Sequence, residues 1–251
     1  MWNAMPSHPL LSGGWLLKHL FALLIFASLL ALGVWQLERL EQRRAANAAR
    51  LALLDQNPIT LTGQEPDPAA LVGRKLRVTG TFVNEASVVL RGQQSDNGVA
   101  GVHLLTPLRI AGSEVAVIVD RGWLPASQRD PAALAAYAVP REVSLEGLAF
   151  APQTRPASPL APRDLPLPGE ERISAWVRVD VARLQAQVDV PLLPLYLEQL
   201  PAGDGAPLPR PRDPRQLDEG PHLSYAIQWF AFAAILAVVY AALMRQELTK
   251  L

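Results

Sequence analysis

The sequence predicts an α+β membrane protein in which two terminal transmembrane helices flank a mainly antiparallel β domain, folded as a barrel or a sandwich. Two observations support this fold class. Long apolar runs stand near both ends of the 251-residue chain. Between them, about seven short segments alternate apolar and polar residues with the period of two that is typical of strands. Both termini are therefore expected on one side of a bilayer, and the β domain on the other side.

The first apolar run extends from Trp15 to Trp35, is interrupted only by Lys18 and His19 near its outer edge, and predicts a transmembrane helix at 15–37. A hydrocarbon core about 30 Å thick requires roughly 20 helical residues at about 1.5 Å each, so this run is long enough to span. Trp15 and Trp35 stand where interfacial aromatic residues are expected, which favours a retained anchor over a cleaved signal peptide. Strong helix formers follow Trp35, so the helix is predicted to leave the membrane and to end before Asn57.

The middle of the chain is predicted to be rich in β structure. Alternation of apolar and polar residues predicts strands at 74–84, 87–91, 102–110, 114–123, 142–150, 175–181 and 193–200. Short helices are predicted at 131–137 and 181–188, and a loop at 58–68. Residues 151–168 and 201–221 each contain six prolines, which favours extended, solvated chain. We expect residues 151–168 to form a surface loop and residues 201–221 to form a tether to the second membrane helix.

The second apolar run, residues 222–244, is also predicted to span the membrane. The predicted organisation is an N-terminal end (1–14), a transmembrane helix (15–37), a β-rich domain with proline-rich loops (38–221), a second transmembrane helix (222–244) and a C-terminal end (245–251). Charge leaves the orientation open, because basic residues flank both sides of each run. The positive-inside rule is weak for loops longer than about 60 residues.

Composition and missing motifs exclude several classes of function. The formal net charge is zero, so no basic surface for nucleic acid is expected. The chain has no cysteine, which excludes disulfides, thiolate chemistry and cysteine-based metal sites. It also lacks a nucleophile elbow, a zinc-protease motif, a Walker loop and a dinucleotide fingerprint. We therefore expect a protein that is not an enzyme, with a membrane-bound hydrolase of unrecognised site as the less favoured alternative.

Among the four histidines, His222 is the candidate ligand for an iron cofactor. It follows Pro221 at the predicted start of the second membrane helix, where proline suits the first turn. Tyr225 and Trp229 lie three and seven residues later and share its helix face. The positive end of the helix dipole favours the neutral imidazole, which is the form that binds iron. On these residues alone, the simpler alternative is an interfacial histidine that hydrogen-bonds to headgroups or backbone.

One polar residue lies well inside the second apolar run. The amide of Gln228 needs a partner in lipid, because a bilayer core offers it no hydrogen bond. We expect it to face the first helix near Gly33 or Gln36.

Three separated motifs add to this interpretation. Residues 33–39 read Gly-Val-Trp-Gln-Leu-Glu-Arg at the exit of the first membrane helix. Residues 101–108 and 117–125 form a pair that contains His103 and the run Asp-Arg-Gly-Trp. Residues 222–230 read His-Leu-Ser-Tyr-Ala-Ile-Gln-Trp-Phe at the start of the second helix. In their order and spacing, from about residue 20 to residue 245, these motifs resemble the surfeit-locus protein 1 family of terminal-oxidase assembly factors.

The resemblance implies an assembly factor for a haem-copper terminal oxidase (a cytochrome c oxidase of the respiratory chain). It implies a bacterial inner (cell) membrane protein with a periplasmic central domain and cytoplasmic termini. Its role would be to assist haem a insertion into the oxidase catalytic subunit, or maturation of that subunit. His222 would bind the haem iron, beside Tyr225 and Trp229. The implied partners are the catalytic subunit, the lipid bilayer and, as a further candidate, haem a synthase. The alternative is a cofactor-free scaffold or chaperone that stabilises an assembly intermediate.

The chain departs from the family pattern at two places. Residues 219–221 (Glu-Gly-Pro) replace asparagine just before the histidine, so an orienting amide is missing there. Asp120 replaces the asparagine that commonly precedes Arg-Gly-Trp. In that motif we expect Gly122 to permit a bulge or tight turn and Trp123 to pack on the sheet. The alternative is that Arg121 meets a haem propionate or an acidic partner.

Overall fold

The computed structural model describes residues 12–95, 97–158, 160–164, 166, 172–203 and 207–249. Its contacts divide the chain into two units. A helical unit combines the residues up to Arg50 with those from Leu217 onward, and a β unit comprises Leu51–Gln216. Parts of the predicted terminal ends (residues 1–11 and 250–251) lie outside the described residues.

Two long helices dominate the helical unit. Helix α1 spans Gly13–Leu54, and helix α4 spans His222–Leu248. Both are long and apolar enough to cross a membrane. Phe21 and Val238 are 65% and 69% exposed, whereas the core helix of a soluble domain would bury such side chains. The structure therefore confirms that both predicted segments are helical and that α1 continues beyond its apolar run.

Small residues allow α1 and α4 to approach closely. A Cβ atom on Gly33 would lie 2.5 Å from Cε1 of Phe230, so a larger residue there would have to displace that ring. The buried residues of α4 are both alanines, Ala226 and Ala233. At the other end of the pair, the ring of His19 is hydrogen-bonded to the hydroxyl of Tyr240. Close approach through small residues and side-chain hydrogen bonds is how helices associate in lipid, where there is no hydrophobic driving force between them.

Among its described residues, the β unit has eight strands and two short α-helices. The strands are β1 (Ile59–Leu61), β2 (Lys75–Phe82), β3 (Val88–Gln94), β4 (Ala100–Ile110), β5 (Ala116–Pro125), β6 (Val143–Phe150), β7 (Ala175–Trp176) and β8 (Leu192–Gln199). The helices are α2 (Pro131–Leu134) and α3 (Val181–Gln185). These positions confirm most of the predicted elements.

Five of the strands close into a barrel. The sheet order is β1-β2-β6-β8-β5-β4-β3-β7, and an additional pairing of β2 with β4 completes a ring of β2, β6, β8, β5 and β4. A closed ring with an odd number of strands cannot be antiparallel throughout, because the strand direction must return to itself. The exception here is β5–β8, which is parallel, while the other four pairs in the ring are antiparallel.

Gly80 is the position where β2 turns from one neighbour to the other. Its preceding residues pair with β6, and from Gly80 onward the strand pairs with β4. A Cβ atom there would collide with the carbonyl of Arg109. Glycine at such a corner is what closes a small barrel. Apolar side chains from the ring strands and β1 fill the interior, namely Leu61, Leu76, Val78, Phe82, Leu108, Ile110, Val117, Val119, Ala149, Leu193, Leu195 and Leu197.

The structure differs from the sequence-based expectations where distant segments meet. The predicted loop at 58–68 contains β1, which pairs in parallel with β2. The strand predicted at 175–181 is reduced to β7. The backbone N–H groups of Val177 and Val179 donate to the side chains of Asp164 and Gln153 rather than to a neighbouring strand. Asp180 then caps α3.

The two proline-rich stretches are also held to the β unit at particular points. Asp164, in the first stretch, is buried and pairs with Arg178 at 3.2 Å and with Arg183 at 3.3 Å. Arg210, in the second, exchanges two backbone hydrogen bonds with Trp123, of 2.7 and 2.9 Å. Neither stretch is therefore solvated chain throughout, although residues 159, 165, 167–168 and 204–206 lie outside the described part.

Candidate functional site

The first and third motifs meet where α4 begins. His222 is the first residue of α4 and is partly buried. Its Nδ1 lies 2.8 Å from Oε1 of Gln36 on α1. An amide oxygen is only an acceptor, so Nδ1 carries the proton and donates a hydrogen bond to Oε1 of Gln36. The structure thus joins a residue of the 33–39 motif to the histidine of the 222–230 motif.

The residues just before His222 are held to α1 by charged groups. The guanidinium of Arg44 donates two hydrogen bonds to the carboxylate of Glu219, each of 2.9 Å. This hydrogen bond lowers the pKa of Glu219 and raises the pKa of Arg44. Arg43 and Asn47 donate to the backbone oxygen of Asp218 at 3.2 and 3.4 Å. The departure from the family pattern at 219–221 therefore has a structural role, because Glu219 anchors the approach to α4.

The second ring nitrogen of His222 has no hydrogen-bond partner among the described residues. Gly220, with a φ of +74°, lies beside it, and a Cβ atom there would be 3.5 Å from Nε2. The missing side chain leaves this edge of the ring open. A histidine that donates one N–H to an oxygen and keeps the other nitrogen free has the arrangement usual for a metal ligand. The donor set at this position, a neutral imidazole with a free nitrogen, therefore fits a contact to iron.

Tyr225 and Trp229 lie on the same face of α4 as His222, as the sequence indicates. Tyr225 is 46% exposed. Trp229 packs edge-to-face against Phe232, with ring centroids 6.0 Å apart. No hydrogen bond or ring contact joins either side chain to His222 in the described part of the chain. Their contribution to a cofactor site stays a prediction.

Gln228 does not occupy the position expected of it. Its side chain is exposed, and within the described residues it makes no hydrogen bond to α1. The amide that joins the two helices is that of Gln36 instead. A signal for this existed in the sequence, since Gln36 follows Gly33 by one helical turn and so lies on the face that approaches α4.

The second motif builds a hydrogen-bonded corner in the β unit. Oδ2 of Asp120 lies 2.8 Å from Nδ1 of His103, and Oδ1 accepts the backbone N–H of Gly122 at 3.0 Å. Both side chains are largely buried, with His103 13% exposed and Asp120 6% exposed. Aspartate in place of asparagine thus satisfies two donors with its two oxygens. His103 is a partnered structural imidazole, as sequence reasoning favours.

Gly122 and Trp123 of the Arg-Gly-Trp run have the structural role that we expected. Gly122 has a φ of +110°, and a Cβ atom on it would collide with the carbonyl of Arg210. Gly101 gives similar room to the ring of Trp123. Arg121 is buried, and its guanidinium lies 4.6 Å from the ring centre of Phe82. Burial lowers the pKa of Arg121 to about 10, so this side chain remains a cation at neutral pH.

A polar cavity of about 160 Å³ lies beside the His103–Asp120 pair. Tyr196 lines it, and burial followed by the charges of Glu198 and Asp120 raises the pKa of its hydroxyl. None of the described lining residues is a serine, threonine or cysteine. Across the described chain, no three His, Asp or Glu side chains are grouped to hold a metal ion.

Comparison with known proteins agrees with the arrangement of the motifs. The model of the SURF1 family matches residues 23–234. A SURF1-like protein of Monosiga brevicollis is 28% identical over 224 residues, which cover 86% of this chain and 83% of that protein. A SURF1-like protein of Rickettsia felis is 25% identical over 245 residues, covering 92% and 98%. Surfeit locus protein 1 of Xenopus tropicalis is 22% identical over 226 residues, covering 84% and 71%. The match confirms the resemblance seen in the motifs, and the chain belongs to the SURF1 family.

Proposed function

We propose that this protein is a membrane-tethered assembly factor for a haem-copper terminal oxidase, and that it is not an enzyme. It helps the catalytic subunit to acquire haem a or to mature around it. Membership of the SURF1 family supports an assembly role. The exposed apolar surfaces of α1 and α4 support a protein that is held in a bilayer by two spans.

In this proposal the segments 15–37 and 222–244 cross a bacterial inner membrane. The intervening residues 38–221 form a periplasmic domain, and the two ends of the chain lie in the cytoplasm. The relatives from Rickettsia are consistent with a bacterial membrane protein. The oxidase catalytic subunit is the proposed main partner, and haem a synthase is the proposed source of the haem. No nucleic acid is involved.

The observation that carries the proposal is the unpartnered Nε2 of His222 at the start of α4. When bound, haem would supply an iron atom that accepts a nitrogen ligand. The chain's own part is to present that nitrogen at the end of an apolar helix, beside the open position at Gly220. Tyr225 and Trp229 would then offer aromatic surface to the macrocycle.

The test is an optical spectrum of the full-length protein purified from cells that make haem a. We expect a Soret band in the wild-type protein and its loss in His222→Ala. His19→Ala is the matched control, because it removes an imidazole from the other end of the same helix pair. A Soret band that is absent, or that His222→Ala leaves unchanged, would remove the haem role.

If the haem role fails, the remaining proposal is a cofactor-free scaffold that stabilises an assembly intermediate. It predicts that a deletion strain complemented with His222→Ala regains full oxidase activity and haem content. The haem-handling role predicts instead that this variant fails to restore haem content.

A further inference from the structure

We infer that Gln36 is a positioning residue for His222. It accepts a hydrogen bond from Nδ1, holds the imidazole in the tautomer that offers Nε2, and does so as a neutral acceptor that keeps the ligand exchangeable. This inference rests on the proposed contact between His222 and haem iron. It also identifies the orienting amide that is missing from residues 219–221.

The tautomer follows from the contact across the two helices. Neutral imidazole carries one proton, on Nδ1 or on Nε2. The 2.8 Å contact between Nδ1 and the amide oxygen of Gln36 places that proton on Nδ1. Nε2 then bears a lone pair and is directed away from Gln36, on the edge of the ring beside Gly220. A metal ligand is normally fixed in this way, through the hydrogen bond of its other nitrogen.

Gln36 can act as a fixed acceptor because the helices are held together on both sides of it. One turn earlier, Gly33 lies against the ring of Phe230 with no room for a Cβ atom. Two turns later, Arg44 holds the carboxylate of Glu219 through two hydrogen bonds of 2.9 Å. His222 is therefore positioned between two contacts that join α1 to the start of α4.

The chemical nature of the acceptor affects how strongly the histidine binds iron. A carboxylate that accepts the second N–H of a ligating histidine raises the basicity of the ligand. An amide oxygen carries no formal charge and polarises the imidazole less. A factor that must release its cargo to another protein requires a ligand of moderate strength. Glutamine at this position meets that requirement, whereas glutamate would strengthen the bond.

Replacement of Gln36 by glutamate also tests the direction of the hydrogen bond. If the amide nitrogen of Gln36 donated to Nδ1, the proton of the imidazole would lie on Nε2 and block the ligand position. A carboxylate can only accept from Nδ1. If Gln36 acts as an acceptor, Gln36→Glu keeps a ligand that the wild type already offers. If Gln36 acts as a donor, the wild type binds haem weakly and Gln36→Glu binds it much more tightly, because the carboxylate moves the proton to Nδ1 and frees Nε2.

The experiment titrates ferric haem b into haem-free, full-length protein in detergent and follows the Soret band. The variants are Gln36→Leu and Gln36→Glu. Gln42→Leu is the control. Gln42 is an exposed glutamine of the same helix, and its side-chain oxygen accepts a hydrogen bond from Arg39 rather than from α4. The rate of haem transfer to apomyoglobin and the iron–histidine vibration of the ferrous form are measured as well. These two readouts report the ligand itself, so a general loss of helix packing would not reproduce their pattern.

We expect Gln36→Leu to weaken haem binding by about 10- to 100-fold. Gln36→Glu should bind at least as tightly as the wild type, transfer haem more slowly and raise the iron–histidine frequency. Gln42→Leu should match the wild type. Suppose that His222→Ala loses the haem. If Gln36→Leu then binds haem as tightly as the wild type, or if Gln36→Leu and Gln36→Glu weaken binding equally, the role of Gln36 is overturned but the haem role of His222 is not. If His222→Ala binds as the wild type does, the inference and the proposed haem role both fail.

Discussion

At several positions in this protein, contacts with one or two neighbouring groups determine which residue type fits. Asp120 satisfies two donors with its two carboxylate oxygens, on His103 and on the backbone of Gly122. Gly122 in turn leaves room for the carbonyl of Arg210, which returns to the sheet from far along the chain. At this scale the second motif is a set of contacts that fasten a proline-rich segment to the barrel.

Replacement of Gly122 by alanine should destabilise the β unit strongly. The change adds a Cβ atom where the Arg210 carbonyl lies and strains a backbone with a φ of +110°. We expect the free energy of unfolding to fall by about 3 kcal/mol or more, as the sum of steric overlap and backbone strain. Urea unfolding of the full-length protein in detergent, followed by tryptophan fluorescence, measures this loss.

Gly112→Ala is the matched control for that experiment. Gly112 has a φ of +74°, but nothing lies within 4 Å of its Cβ position. Gly112→Ala should therefore lower the free energy of unfolding by the backbone strain alone, about 1 kcal/mol. Equal losses in the two variants would contradict the steric role assigned to Gly122.

Besides the hydrogen bond between Gln36 and His222, the pairing of α1 with α4 depends on contacts at three further levels along the helices. His19 and Tyr240 meet at one end, Gly33 and Phe230 in the middle, and Arg44 and Glu219 beyond the start of α4. Each contact uses a different physical principle: a side-chain hydrogen bond, close packing and an ion pair. The two ends and the middle can therefore be perturbed separately.

Gly33→Leu should separate the two helices. The new side chain would overlap the ring of Phe230, and overpacking of this kind costs about 1–3 kcal/mol. The chain has no native cysteine, so a disulfide between His19→Cys and Tyr240→Cys reports on helix proximity without background. Its yield should fall in Gly33→Leu and recover when Phe230→Ala is added.

Gly14→Leu serves as the control for Gly33→Leu, because a Cβ atom at Gly14 meets nothing within 4 Å. Its disulfide yield should equal that of the parent. An undiminished yield in Gly33→Leu would show that this glycine is not required for close approach.

The contact at the end of the helix pair should depend on pH through Glu219. The hydrogen bond from Arg44 holds the pKa of Glu219 below its ordinary value of 4.5. A lowered pKa means that the folded state favours the ionised carboxylate. The contribution is therefore fully present above about pH 4.5 and is lost as the pH falls through the lowered pKa.

Spin labels on Ala46→Cys and Leu217→Cys can follow this transition by pulsed electron resonance. We expect the distance distribution to broaden as the pH falls from 6 to 3, and more so at high ionic strength, because the pair is exposed and is screened by salt. Glu219→Gln should already be broad at pH 6 and change little with pH. A response of the same size in Glu219→Gln would assign the titration to another group.

At the scale of the whole molecule, both ends of the chain contribute to one helical unit, and the intervening residues form the β unit. Two membrane crossings with both termini on one side would place the β unit entirely on the other side. This topology underlies the proposed location of the domain in the periplasm. It applies whether or not the protein binds haem.

Labelling of single cysteines in intact cells tests the topology. Val99→Cys lies in the β unit at a position that is 55% exposed, and Thr249→Cys follows α4 at an exposed position. A maleimide that cannot cross membranes should label Val99→Cys in intact cells. It should label Thr249→Cys only after permeabilisation. The reverse pattern would place the domain in the cytoplasm.

Local patterns in the sequence were sufficient to predict most of the helices and strands of this protein. Apolar runs long enough to span a bilayer predicted α1 and α4, and alternation of apolar and polar residues predicted six of the eight strands close to their observed positions. Motif order predicted the family. Periodicity works for these elements because burial against lipid or against a core acts on consecutive residues of one segment.

Contacts between distant residues could not be read from such patterns. Gln36 and Gln228 are both polar residues in or beside apolar helices, and only the crossing of α1 with α4 determines which of them meets the other helix. The same is true of Asp164, which is buried by arginines that follow a proline-rich stretch, and of Arg210, which pairs with Trp123. These positions depend on the closure of the barrel and on the approach of the helices, because a hydrogen-bond partner is set by distance in space rather than by distance along the chain.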